Sequence, residues 1–173
     1  MICTWSIQRE ATIHISMRRT YSFHTEPAGP CYKGLIAESL VHAQTLLLVK
    51  RPQMKLDPSA ADLLAKLKPF IIEETDASAW PGTVLINNAA TIYTVHFRPT
   101  VAEIMTEAAI ALYAWIHPEL PEDPCLLRAD GTPWLVTIAH ENDAYMELND
   151  DELAELASKV PGLDLAPDVK NQR

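Results

Sequence analysis

Residues 125–148 read CLLRADGTPWLVTIAHENDAYMEL, and this stretch decides the fold class. Cys125-Leu126-Leu127-Arg128 and Pro133 to Ala139 are apolar runs separated by Ala129-Asp130-Gly131-Thr132. Asp-Gly between two such runs supplies the backbone angles of a tight hairpin. A second turn, His140-Glu141-Asn142-Asp143, leads into Ala144 to Leu148. Three short strands joined by turns make a meander, and a meander is antiparallel.

Downstream, Asn149 stands before the helical pattern Asp150 to Lys159, with Glu152 three residues on. Those two residues form the capping-box pattern. Pro161-Gly162 ends the helix, and residues 164–173 read as a polar C-terminal tail outside a single domain over 1–163.

Upstream, Pro99-Thr100-Val101-Ala102-Glu103 is a helix start, with Thr100 as cap and Glu103 completing a second capping box. This helix is predicted to reach Ile116 on the stripe Val101, Ile104, Met105, Ala108, Leu112 and Trp115. Thr83 to Ile86 and Thr91 to Phe97 read as a hairpin about the turn Asn87-Asn88-Ala89-Ala90. Phe70-Ile71-Ile72 fits either a strand or an extension. Asp57 and Pro58 open a helix that Pro69 closes. A longer helix is predicted from Tyr32 to Val49 on Ile36, Leu40, Ala43 and Leu47. Thr12 to His24 alternates apolar with polar residues, the pattern of a half-exposed strand. The sum is α+β: antiparallel sheet, built from hairpins and a C-terminal three-stranded meander, packed against about four helices.

Charge is distributed unevenly. Residues 1–100 carry ten Lys/Arg and eight Asp/Glu, a balance of +2. Residues 101–173 carry four Lys/Arg and fifteen Asp/Glu, a balance of −11. Seven acids and no base lie between Glu141 and Glu155. Nucleic acid is not an expected partner, because phosphates are held by clustered Lys and Arg. A basic protein is. Glu141, Asp143, Glu147, Asp150, Asp151, Glu152 and Glu155 are the candidate acidic surface, and Trp80 and Trp134 are candidate interface anchors. The acids are equally what a solvated helix face and its caps require.

Three cysteines, Cys3, Cys31 and Cys125, are odd in number and widely spaced. They suit free thiols in a reducing compartment, which with the absence of a leader pattern reads as cytoplasmic. The longest apolar run, Leu46 to Val49, ends at Lys50-Arg51 and is too short to span a membrane. Cys31 follows a Gly-Pro loop at a helix start, beside Lys33, where amides and the helix dipole lower a thiol pKa. A nucleophilic role needs a histidine base, for which His96 and His140 are the candidates. His42 lies eleven residues along the predicted helix, about 16 Å away at 1.5 Å per residue. The same cysteine is also simply what a semi-buried residue near a helix start looks like.

His140-Glu141-Asn142-Asp143-Ala144 begins like a zinc-protease motif, but Ala144 replaces the second histidine. No two of the six histidines stand at ligand spacing, and the acidic run lacks the mid-loop glycine of a calcium loop. No metal or other cofactor is implied. Five glycines include no phosphate loop. The expectation is a non-enzymatic protein-binding module of the bacterial inhibitor or immunity type. A Cys31-dependent hydrolase and a structural or oligomerising module are the alternatives.

Overall fold

The computed structural model describes residues 17–53 and 55–168. In chain order these form β1 (Arg19–Phe23), α1 (Pro30–His42), β2 (Thr45–Lys50), α2 (Pro58–Leu67), β3 (Ile71–Ala77), β4 (Ala79–Trp80), β5 (Thr83–Val84), β6 (Ala90–His96) and α3 (Pro99–Ala108). Then follow β7 (Glu122–Leu127), β8 (Pro133–Ile138), β9 (Asp143–Leu148), α4 (Asp150–Lys159) and β10 (Leu165–Pro167). Cys3 and residues 12–16 of the predicted first strand lie outside the described residues.

Eight strands make one sheet in the order β10-β1-β9-β8-β7-β2-β6-β3, every neighbouring pair antiparallel. With four helices, the arrangement is the α+β one that the meander implies. Alternation along each strand sorts the sheet into two faces. Tyr21, Leu46, Leu48, Tyr93, Val95, Leu126, Leu135 and Met146 enter the main core with residues of all four helices. Val49, Ala90 and Ile92 point the other way, into a small second core closed by Trp80.

Four expectations change. Leu46 to Val49 is not the end of a long helix. α1 stops at His42, and Leu46 to Val49 belong to β2, bonded to β6 on one side and β7 on the other. A short apolar run buried on both faces has no period of its own, so it matches a helical stripe equally well. The predicted hairpin of 83–86 with 91–97 does not form either. β6 pairs with β3 and β2, while β5 turns back on β4 and lays Trp80 on the sheet. The segment at 70–72 thereby resolves: Phe70 closes a 3-10 turn, and Ile71 starts β3.

α3 ends at Ala108 rather than Ile116. Beyond it the backbone is taken over by the loop at 27–29: Gly29 N–H donates to Ile110 C=O, and Leu112 N–H donates to Pro27 C=O. Its start also shifts. Arg98 is the N-cap with no side-chain cap bond, because Pro99 with its preset φ takes the first helical position. Last, the expected tail contributes an edge strand, Leu165–Pro167, paired with β1. The capping box at Asn149 and Glu152 forms as predicted.

Candidate functional site

Cys31 occupies the first turn of α1 and is partly buried. Burial raises its thiol pKa, the opposite of the lowered pKa that the nucleophile reading needs. Among the described residues no hydrogen bond or ion pair joins Cys31 to a histidine. His96 is exposed at the end of β6, paired with Thr45, while His140 sits beside Arg51, just past the other end of β2. Six strand residues separate those ends by about 20 Å. The two histidines therefore cannot serve one centre.

The acids from Glu141 to Glu155 do not make one continuous face. β9 separates Glu141 and Asp143 from the Asp150 end by about 20 Å. Asp150 and Asp151 are exposed on the first turn of α4, where they complement the helix dipole, and Asp150 lies 3.9 Å from Arg19. Glu152 is the capping-box acid. Trp80 and Trp134 are both buried and are core residues rather than surface anchors.

What the fold assembles instead are two charged clusters. The first lies where β2 ends against β7. Arg51 Nε donates to Glu122 Oε2 at 2.6 Å, and His117 Nδ1 stands 2.9 Å from Oε1. The His117 contact is poorly aligned for a hydrogen bond and acts as an ion pair when the ring is protonated. Burial pushes the Glu122 carboxyl up, but His117 and Arg51 outweigh it and hold the carboxyl below its ordinary range. Asp123, with φ 53, accepts from Trp80 Nε1 at 3.1 Å and from Ala139 N–H at 2.9 Å. Burial raises its pKa despite those bonds. His140 Nδ1 is 3.7 Å from Asp123 Oδ1, and Arg51 Nη2 lies 3.4 Å from the same ring atom. Both Asp123 oxygens are engaged and a guanidinium already sits on Glu122. This cluster ties the Trp80 hairpin and the His140 turn to the sheet.

The second cluster joins α1, α4 and the start of β8. His42 stacks flat on Trp134, centroids 5.2 Å apart and planes 11° apart. Its Nδ1 faces Glu152 Oε1 at 3.7 Å, and its Nε2 faces Glu155 Oε2 at 3.6 Å and Glu38 Oε1 at 3.9 Å. Nε2 is buried and has no hydrogen-bond partner. Arg128, itself buried, holds Glu152 through Nη2 at 2.8 and 2.9 Å and also donates to Pro133 C=O and Glu147 C=O. Lys159 Nζ donates to Glu38 Oε1 at 2.9 Å and to Glu155 Oε1 at 2.5 Å.

A third feature lies on the sheet face opposite the helices, beside the part that the Trp80 hairpin covers. On β9, Asp143, Tyr145 and Glu147 alternate with the core residues Ala144, Met146 and Leu148, so they share the face away from the helices. Thr20 and Ser22 stand opposite Glu147 and Tyr145 on β1. Burial raises the Tyr145 pKa first, with Glu147, Cys125 and Asp143 adding to it. Tyr145 is half-buried between two acids on the face that, among the described residues, carries no helix.

Comparison with protein-family models, with curated proteins and with solved structures finds no match for this chain. Sequence reasoning named Glu152, Glu155 and Trp134 but missed Glu38, His42 and Arg128, which complete their cluster. One signal was available: Glu38 and His42 stand four apart, one helical turn, on the same face. Arg128 and Tyr145 carried no such signal.

Proposed function

We propose that this chain is a non-enzymatic binding module of the inhibitor or immunity type, which meets a basic protein through the helix-free face of its meander. The observation that carries the reading is Tyr145 set between Asp143 and Glu147 on a sheet face that, among the described residues, no helix covers. A half-buried aromatic is a suitable anchor, and flanking acids steer a cationic partner and reject an anionic one. The −11 balance of residues 101–173 supports the same partner chemistry and disfavours nucleic acid. The raised Cys31 pKa weakens the hydrolase alternative.

The test is affinity capture from the source lysate by the native chain and by D143K/E147K side by side, at low and at high salt. The expected result is a basic protein held by the native chain, released by salt and not captured by the variant. Capture of the same protein equally by both chains, or a partner without net positive charge, overturns the reading.

A further inference from the structure

We propose that Glu38, His42 and Glu155 form a binding site for a divalent ion of the zinc class, with Glu152 as the carboxylate that orients the histidine. The starting point is the His42 ring. Its side chain is 10 % exposed, and Nε2 is buried without a hydrogen-bond partner. A buried ring nitrogen normally has a partner, so an orphan calls for an explanation. This one points at two carboxylate oxygens from two different helices, and one donor atom from each of the three residues lies within 4.8 Å of the others.

The geometry is close to that of a filled site. Donors about 2.0–2.1 Å from a tetrahedral zinc are roughly 3.4 Å from one another. The observed separations from Nε2 are 3.6 Å to Glu155 and 3.9 Å to Glu38, so on the histidine's side closure needs shifts of a few tenths of an ångström, and the two carboxylates lie within 4.8 Å of each other. Both glutamates end in rotatable bonds that supply this.

The surroundings do what the outer partners of a metal-bound histidine do. Such a histidine presents its other nitrogen to a carboxylate, which fixes the tautomer and the ring direction. Here Nδ1 faces Glu152 at 3.7 Å. Glu152 is itself immobilised by Arg128 and by the Asn149 backbone N–H. Trp134 fixes the plane of the ring from one side. One imidazole with carboxylates suits zinc and its neighbours, whereas magnesium and calcium favour oxygen ligands alone.

Lys159 is the competitor. Its ammonium bridges Glu38 Oε1 and Glu155 Oε1, while Glu155 Oε2 faces His42. Only the Glu38 oxygen is shared between the ammonium and the proposed ion. Lys159 is half-exposed on a flexible stem, so an incoming dication displaces it into water. Its position shows that the pocket already attracts a cation.

The experiment is calorimetric titration of the metal-stripped full chain with zinc chloride in a non-coordinating buffer, with magnesium chloride as the comparison. Folding of each variant is checked by circular dichroism. Zinc is expected to bind one-to-one, and magnesium to give no heat. Glu38→Gln and His42→Gln should weaken zinc by at least about 100-fold, beyond the 10–100-fold typical of an outer-shell partner. Glu152→Gln should fall inside that outer-shell range. Lys159→Met should tighten binding by roughly three- to tenfold, the strength of exposed ion pairs no longer broken on entry. Should His42→Gln fail to fold, Glu38→Gln carries the test alone, because it keeps the shape of a side chain whose hydrogen-bond partner is the half-exposed Lys159. No zinc binding below about 0.1 mM overturns the proposal. So does a zinc affinity that Glu38→Gln leaves unchanged, or one that Lys159→Met weakens.

Discussion

Arg51→Met isolates the buried charge of Glu122. The Glu122 side chain is 3 % exposed and its Oε2 receives Arg51 Nε at 2.6 Å. Methionine keeps most of the apolar stem of Arg51 but removes the guanidinium. Stranding one partner of a buried ion pair costs about 3–5 kcal/mol. His117 still stands 2.9 Å from the other oxygen, so Glu122 keeps one polar neighbour and the lower end applies. The expected loss at neutral pH is about 3 kcal/mol, which for a chain of this size lowers Tm by roughly 6–12 °C. The assay is urea unfolding with linear extrapolation. Arg51→Met with Glu122→Gln in one chain should recover about 2 kcal/mol of that loss, because no charge is then stranded.

The pH dependence supplies a second readout. The Glu122 carboxyl is held below its ordinary range in the folded chain. A depressed folded pKa gives stability that is fully present above the unfolded carboxylate pKa and is lost as pH falls through the folded value. Arg51→Met removes part of that depression, so its penalty must shrink as pH falls below the ordinary carboxylate range. A penalty under about 0.5 kcal/mol, the size of a surface change, refutes the argument. A penalty of full size that does not vary with pH refutes it as well.

Two further outcomes are expected. Cys31 should react with iodoacetamide more slowly than a model thiol at neutral pH, since burial raises its pKa, and Cys125, pushed up to about 12 by full burial, should be slower still until the chain unfolds. Mass spectrometry of modified peptides reads both rates, and a Cys31 faster than the model thiol restores the nucleophile reading. Gly82→Ala should cost about 2–4 kcal/mol in urea unfolding, combining a strained positive φ with overpacking. Gly82 has φ +82, and an added Cβ would stand 2.9 Å from side-chain carbons of Val136 and Ile138. Gly131→Ala, at φ +80 but in open space, should show the strain alone; equal losses at the two positions would remove the packing part of the argument.

What the sequence determined by itself was local. The Asp-Gly turn and alternation around 125–148 specified the meander, and Asn149 with Glu152 specified a capped helix, because each depends on residues a few positions apart. The errors fell where distant chain decides. Leu46 to Val49 became a central strand because β6 and β7 flank it. α3 stopped at Ala108 because the loop at 27–29 claims the backbone beyond it. The candidate sites divide the same way. Residue types were legible: acids, a cysteine, tryptophans. The tertiary structure buried Trp80 and Trp134, parted His96 from His140 and split the acidic run along β9. It also carried Glu155 and Glu152 on α4 to His42 on α1, more than a hundred residues earlier in the chain. Backbone propensity acts over a few residues, whereas a site is made where packing of distant apolar faces brings side chains within a few ångströms, and no short window of sequence contains that information.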